Sequence, residues 1–128
     1  MEKKIPNDLL YTEDHEWARK EGNKITEGIT DYAQSELQDI VFVELPEVGQ
    51  EVVQGDPIAT IEAVKTVTDL YAAVSGKIIE TNGELDSKPE LINKDPYEDG
   101  WIVKIRVSDL AELDTLLEPS EYKKLLEE

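Results

Sequence analysis

The chain has 128 residues, 39% of them hydrophobic, carries a net charge of -17 and contains no cysteine. That length supports one domain around one core, expected over residues 1–128, and the missing thiols exclude disulfide frameworks, thiol nucleophiles and Cys-ligated metals. So acidic a chain offers no basic patch to release counterions from nucleic acid or to bind anionic lipid, so neither is an expected partner.

Self-repulsion among the acids favours a monomer and steers the protein toward basic surfaces. The first residues lack the apolar core of a signal peptide and no apolar run reaches membrane-spanning length. A cytoplasmic protein is expected, or a mitochondrial-matrix one if a targeting segment has been removed.

Leu9, Leu10 and Tyr11 make an apolar start, and Thr12–Trp17 then crowds the only histidine, three acids and a tryptophan into six residues. One histidine beside carboxylates is thin material for catalysis or metal binding, so His15 reads as a residue that orients a loop or touches substrate. Residues 17–20 and 24–29 read as strands joined by a tight turn at Gly22-Asn23. Thr30 is placed to cap a helix of about two turns carrying Asp31, Ala33 and Leu37. Residues 39–45 are nearly continuously apolar, which predicts a strand buried on both faces or running through the core, stopped by Pro46.

Val52-Val53 starts another strand, and Gly55-Asp56 turns the chain into residues 58–71, two β-prone runs that meet at a lysine. A reversal at Val64-Lys65-Thr66 makes a hairpin with Lys65 at its tip. By residue type alone that lysine is either a solvated surface residue or a modification site. Residues 77–81 form a further strand ending at Asn82-Gly83, the strongest short turn signal in the chain. Residues 84–99 read as irregular turns with a short helical piece near Leu91, and Trp101, Val103, Ile105 and Val107 alternate as a half-buried strand. Leu110, Leu113, Leu116 and Leu117 recur at helical spacing, and a last helix, capped by Ser120, carries Tyr122, Leu125 and Leu126; these helices are expected to cover an edge or face of the sheets. The short, regular strand spacing argues for a mainly β sandwich or small barrel. No phosphate-cradling loop, metal-ligand cluster or nucleophile-base pair emerges, so neither catalytic nor metal-binding residues are assigned and an enzyme is not expected.

Six ordered motifs are more specific. They are Tyr11-Thr12-x-x-His15-Glu16-Trp17, Gly28-Ile29-Thr30-x-x-Ala33-Gln34, residues 39–46, Glu62-x-Val64-Lys65, Pro89-x-Leu91-Ile92-Asn93 and residues 97–101. Together they resemble the H proteins of the glycine cleavage system, nearly end to end. The resemblance implies a lipoyl-domain fold, a flattened barrel-sandwich hybrid of two small antiparallel sheets with a short internal helix and C-terminal helices. It implies lipoic acid in amide linkage to Lys65, with Glu62 and Val64 read by the lipoate ligase or lipoyltransferase.

It further implies a non-catalytic aminomethyl carrier. Its partners would be a pyridoxal-phosphate-dependent glycine decarboxylase, a tetrahydrofolate-dependent aminomethyltransferase and dihydrolipoyl dehydrogenase. The loaded arm would shelter in a cleft at Asp14, Glu16, Tyr32 and Asp69, whose carboxylates suit a cationic aminomethyl group. The sequence departs from the family pattern at Tyr32, Asp14, Ala63, Thr66 and Gln38, where histidine, serine or threonine, serine, alanine and glycine are usual. Alternative readings are an H-like paralogue that relays or stores lipoyl groups for other enzymes, including sulfur-oxidising ones, a biotinyl carrier, and an unmodified docking scaffold. Biotinyl domains usually set methionine beside the lysine, and here Val64 and Thr66 flank it.

Overall fold

A computed structural model describes residues 4–127. Among the described residues nine antiparallel strands form two sheets. They are β1 (Leu10–Tyr11), β2 (Glu16–Glu21), β3 (Lys24–Ile29), β4 (Ile40–Glu44), β5 (Glu51–Val52), β6 (Pro57–Ala63), β7 (Val67–Tyr71), β8 (Gly76–Thr81) and β9 (Val103–Val107). Six of them order as β1-β2-β3-β9-β8-β5 and the other three as β4-β6-β7. Inward residues of both sheets, among them Ile25, Ile61, Leu70, Ile78, Val103 and Ile105, meet in one apolar cluster. This is the expected mainly β, two-sheet sandwich, with sheets of unequal size. Among the described residues no helix is long and apolar enough to cross a membrane.

The expected hairpin of β2 and β3 forms in the register Glu21↔Lys24. Thr30 caps α1 (Asp31–Leu37) by accepting from the Ala33 N–H. The helix stops at Gln38, held at φ 63° and ψ -138°, a conformation that only glycine adopts without cost. Asn93, at the end of the Pro89–Asn93 motif on α2 (Leu91–Lys94), secures this corner. Its Nδ2 donates to the Gln38 carbonyl and its Oδ1 accepts from the Ile40 N–H.

Three local expectations are corrected. Strand β4 is not buried on both faces, because Val41 and Phe42 are half exposed; it is an edge strand with a register shift between Ile40 and Phe42. Apolar content misled here because an edge strand can carry an apolar residue on its solvent face. Asn82-Gly83 ends its strand but is not a simple short turn: Asn82 is buried, caps a short 3₁₀ helix (Gly83–Asp86) and donates to the carbonyls of Asp99 and Trp101. Ser120 is not the cap of α3 (Pro119–Glu127), since the helix begins at Pro119, whose fixed φ and missing N–H suit the first turn. The Glu121 carboxylate instead accepts from the Glu118 N–H.

The leucines at 110, 113 and 116 are spaced by three because they lie on a 3₁₀ helix (Leu110–Thr115) and at its end. The C-terminal segment then covers a sheet edge as expected. Tyr11 on β1 and Leu117 exchange backbone hydrogen bonds of 2.9 and 2.7 Å, and Tyr122 on α3 stacks on Tyr11 with ring centroids 4.6 Å apart. With Leu9, Trp17 and Tyr97 these rings make a second, aromatic cluster.

Two substitutions at backbone corners should move stability in opposite directions. A Cβ on Gly76 would sit 1.9 Å from the Arg106 carbonyl oxygen, so Gly76→Ala should cost roughly 2–4 kcal/mol. Gln38→Gly relieves the strained corner and should gain about 1 kcal/mol. Urea unfolding midpoints check both.

Candidate functional site

The hairpin of β6 and β7 holds Lys65 in a fixed place. The Ala63 N–H donates to the Thr66 carbonyl at 2.8 Å and closes the turn, while the Val64 N–H donates to the Asp39 carbonyl at 3.0 Å and ties the tip to the start of β4. Val64, Lys65 and Thr66 are exposed, and Lys65 makes no side-chain hydrogen bond or ion pair among the described residues. Glu62 lies one step from the tip on the exposed face, opposite Phe42 on one side and Val67 on the other. Ala63 faces inward, opposite Ile40, and is buried. A serine there would have to bury its hydroxyl, so the departure at this position suits the core.

Strand β7 connects the tip to a cavity. Val67, Asp69 and Tyr71 alternate onto one face, and Tyr71 lines a cavity of about 260 Å³ together with Thr12, Asp14, Glu16, Ala73 and Leu116. Glu16 forms its wall and is only 2% exposed. Its carboxylate accepts from the Tyr71 N–H at 2.6 Å and from the Thr12 hydroxyl at 2.8 Å. Burial pushes its pKa from 4.5 up to about 7, against those two hydrogen bonds.

Glu27 extends this arrangement. The register pairs Ala18 with Glu27 and Glu16 with Ile29, so the two glutamates are diagonal neighbours on one face of the large sheet. Glu27 is fully buried, accepts from the Ala73 N–H at 3.0 Å through Oε1, and leaves Oε2 without a partner. Burial, and then the charge of Glu16, raise its pKa well above 4.5. Between them the two carboxyls hold residues 71–73, where the chain leaves the small sheet for the large one. Glu27 was not among the residues singled out from sequence. Its signal was parity, since Ile25, Glu27 and Ile29 share one face.

Asp14 sits exposed at the cavity rim and Asp69 on the approach along β7, its carboxylate 3.4 Å from the Thr60 hydroxyl. Tyr32 lies outside the cavity lining and packs on His15, ring centroids 4.7 Å apart. The His15 backbone, at φ 67°, turns its ring away from the cavity, toward α3. There Nδ1 meets the Tyr122 hydroxyl at 2.9 Å, and that hydroxyl meets Thr30 Oγ1 at 2.7 Å. All the polar atoms are satisfied if Thr30 donates to Tyr122 and Tyr122 donates to a neutral His15, because Thr30 Oγ1 already accepts from Ala33. Burial lowers the His15 pKa despite the pull of Asp14 and Glu36, in keeping with that neutral state. His15 therefore orients the loop that carries Asp14 and Glu16, the structural one of the two roles its sequence allowed.

A family model described as Glycine cleavage H-protein matches residues 9–128. The chain is 52% identical over 124 residues to a glycine cleavage system H protein of Staphylococcus haemolyticus, covering 97% of this chain and 98% of that one. It is also 52% identical over 124 residues to one of Carboxydothermus hydrogenoformans, covering 97% and 95%. A crystal structure of a glycine cleavage system H protein from Mycobacterium marinum superposes with a TM-score of 0.88 at 39% identity, covering 97% of this chain and 100% of that one.

The buried acids set a pH dependence. A carboxyl whose folded pKa is raised leaves the folded state holding a proton that the unfolded chain has released, so its stability is full below about pH 4.5 and is lost as pH rises through the folded value, about 7 for Glu16. Glu27→Gln removes one such penalty and keeps an acceptor for Ala73. Its stability relative to the parent should be near zero at pH 4.5 and grow to at least about 1 kcal/mol by pH 8. Urea titrations of both proteins at several pH values read the difference.

Proposed function

The chain belongs to the glycine cleavage H-protein family, and we propose that within that system it carries an aminomethyl group on a lipoyl arm attached at Lys65. Membership makes it a non-catalytic carrier subunit of the glycine cleavage system.

The observation that carries the reading is Lys65: an exposed amine, engaged with no other side chain among the described residues, on a tip pinned by two backbone hydrogen bonds. An acylating enzyme needs a free amine in a fixed place, and Nζ meets that need. When bound, lipoic acid supplies a cyclic disulfide on a long tether, whose sulfur takes up the aminomethyl group and whose dithiol is afterwards reoxidised. The chain's own part is presentation. It offers Lys65 to a lipoate ligase or lipoyltransferase, with Glu62 and Val64 beside it as recognition residues. It then offers the finished arm to glycine decarboxylase, to the tetrahydrofolate-dependent aminomethyltransferase and to dihydrolipoyl dehydrogenase.

The cavity suits the loaded state. From Val67 to Tyr71, β7 spans roughly 13 Å and leads past Asp69 to the wall made by Glu16. Asp69, Asp14 and Glu16 line that path with carboxylates that hold a protonated amine by charge-assisted hydrogen bonds. Tyr32 acts on this cleft through His15.

Lipoylation tests the attachment. Protein incubated with lipoate, ATP and a competent ligase should gain one lipoyl mass increment, and Lys65→Arg should gain none and fail to support glycine decarboxylase exchange. A parent that stays unmodified, or an active Arg variant, overturns the reading. The cleft is tested by Glu16→Gln with Asp69→Asn, which should speed spontaneous loss of the aminomethyl group by about tenfold or more. Equal rates of loss would remove these acids from the site.

A further inference from the structure

An antiparallel sheet with one face on a core normally presents polar residues on the other. The small sheet adds large apolar side chains to that polar face. Phe42, Glu62 and Val67 stand in one row across β4, β6 and β7, and Glu44, Thr60 and Asp69 stand in the next. Phe42 is 49% exposed and Val67 is 60% exposed, with Val41 and the tip residue Val64 also open beside them. Val64 adjoins Lys65, and Val67 and Phe42 lie in the row of Glu62 behind the tip, whereas the other large exposed apolar side chains, Val48, Val53 and Leu110, lie outside this sheet.

Charge is segregated around the same patch. Between Lys24 and Lys77 the only cationic side chain is Lys65. Glu44, Glu62 and Asp69 therefore stand on this face with no lysine or arginine of its three strands to pair with. An apolar centre edged by unpaired carboxylates fits a partner with an apolar contact rimmed by lysine and arginine, which the acids steer and orient.

We propose that this outer face is the docking surface of the enzyme that acylates Lys65, with Phe42 and Val67 as its apolar anchors and Glu44, Glu62 and Asp69 as its steering charges. The proposal rests on the reading that Lys65 is lipoylated. Reach selects this partner. An enzyme that acts on the finished arm meets its far end, whereas the acylating enzyme must bring its active site to Nζ and so cover the hairpin. The step joins Nζ to the carbonyl carbon of an activated lipoyl group such as an acyl adenylate. It forms the amide, breaks the bond to the activating group and releases one proton from the amine.

The test uses unmodified full-length protein, lipoate, ATP and a lipoate ligase, with intact mass as the readout. Phe42→Thr with Val67→Thr should raise KM for the carrier by about tenfold with kcat little changed, while Val48→Thr with Val53→Thr should match the parent. Glu44→Gln with Asp69→Asn should lower kcat/KM at low salt and flatten its fall with ionic strength. Circular dichroism and urea midpoints close to the parent's exclude unfolding as the cause. Equal KM values in the Phe42/Val67 variant and the parent overturn the docking surface and leave the patch to the arm itself, with the carrier reading intact. A parent that gains no lipoyl mass removes both.

Discussion

The architecture turns on two buried carboxyls that hold one short piece of backbone. Residues 71–73 carry the chain from the small sheet to the large one, and a crossing of that kind cannot satisfy its N–H groups through a strand ladder. Glu16 accepts from Tyr71 and Glu27 accepts from Ala73, so the acids stand in for missing sheet partners. Each costs desolvation, which shows in their raised pKa values. The return is geometric: the strand that begins at the lysine tip ends fixed against the wall of the cavity.

The same constraint helps to hold the tip in place although it is exposed. Strand β7 is held at its far end by Glu16 and at its near end by the closed turn, with Val64 leashed to Asp39. Bonds to backbone groups fix position without engaging the lysine side chain. Nζ is left free of side-chain partners among the described residues on a tip that backbone bonds hold in place, which suits the proposed attachment of a lipoyl arm there. The absence of cysteine fits such an arm, because no protein thiol competes for a reduced dithiol.

Features set by local chemistry were legible in the sequence. The β2–β3 turn, the Thr30 cap, the Lys65 hairpin and the alternation of β9 depend on neighbours within a few residues, and each formed where the pattern put it. Apart from the Ser120 cap, which its neighbours Pro119 and Glu121 displaced, what failed depended on distant contacts. Val41 and Phe42 read as core because apolar content does not say whether a strand lies at a sheet's edge. Asn82 read as a turn residue because its carbonyl partners, Asp99 and Trp101, are remote in the chain. The cleft was half legible. Asp14 and Glu16 came from one motif, whereas Glu27 required knowing that its face was the buried one, and the bond from His15 to Tyr122 spans most of the chain.

That long-range bond gives the C-terminal helix its place in the argument. Tyr122 stacks its ring on Tyr11 and hydrogen-bonds through its hydroxyl to Thr30 at the cap of α1 and to His15, so one side chain joins β1, α1, α3 and the loop of the cavity acids. Burial pushes its own pKa up to about 12, which keeps it a donor. The ring of His15 is thereby turned from the cavity while Asp14 and Glu16, on either side of it, line the cavity. Glu16 is then poised near neutrality, where a cation entering the cavity favours its ionised form and displaces a proton. A group held in that way is held by charge that its own arrival brings out. On the proposed function, the empty carrier is spared the full cost of a buried carboxylate, and the loaded one gains the ion pair.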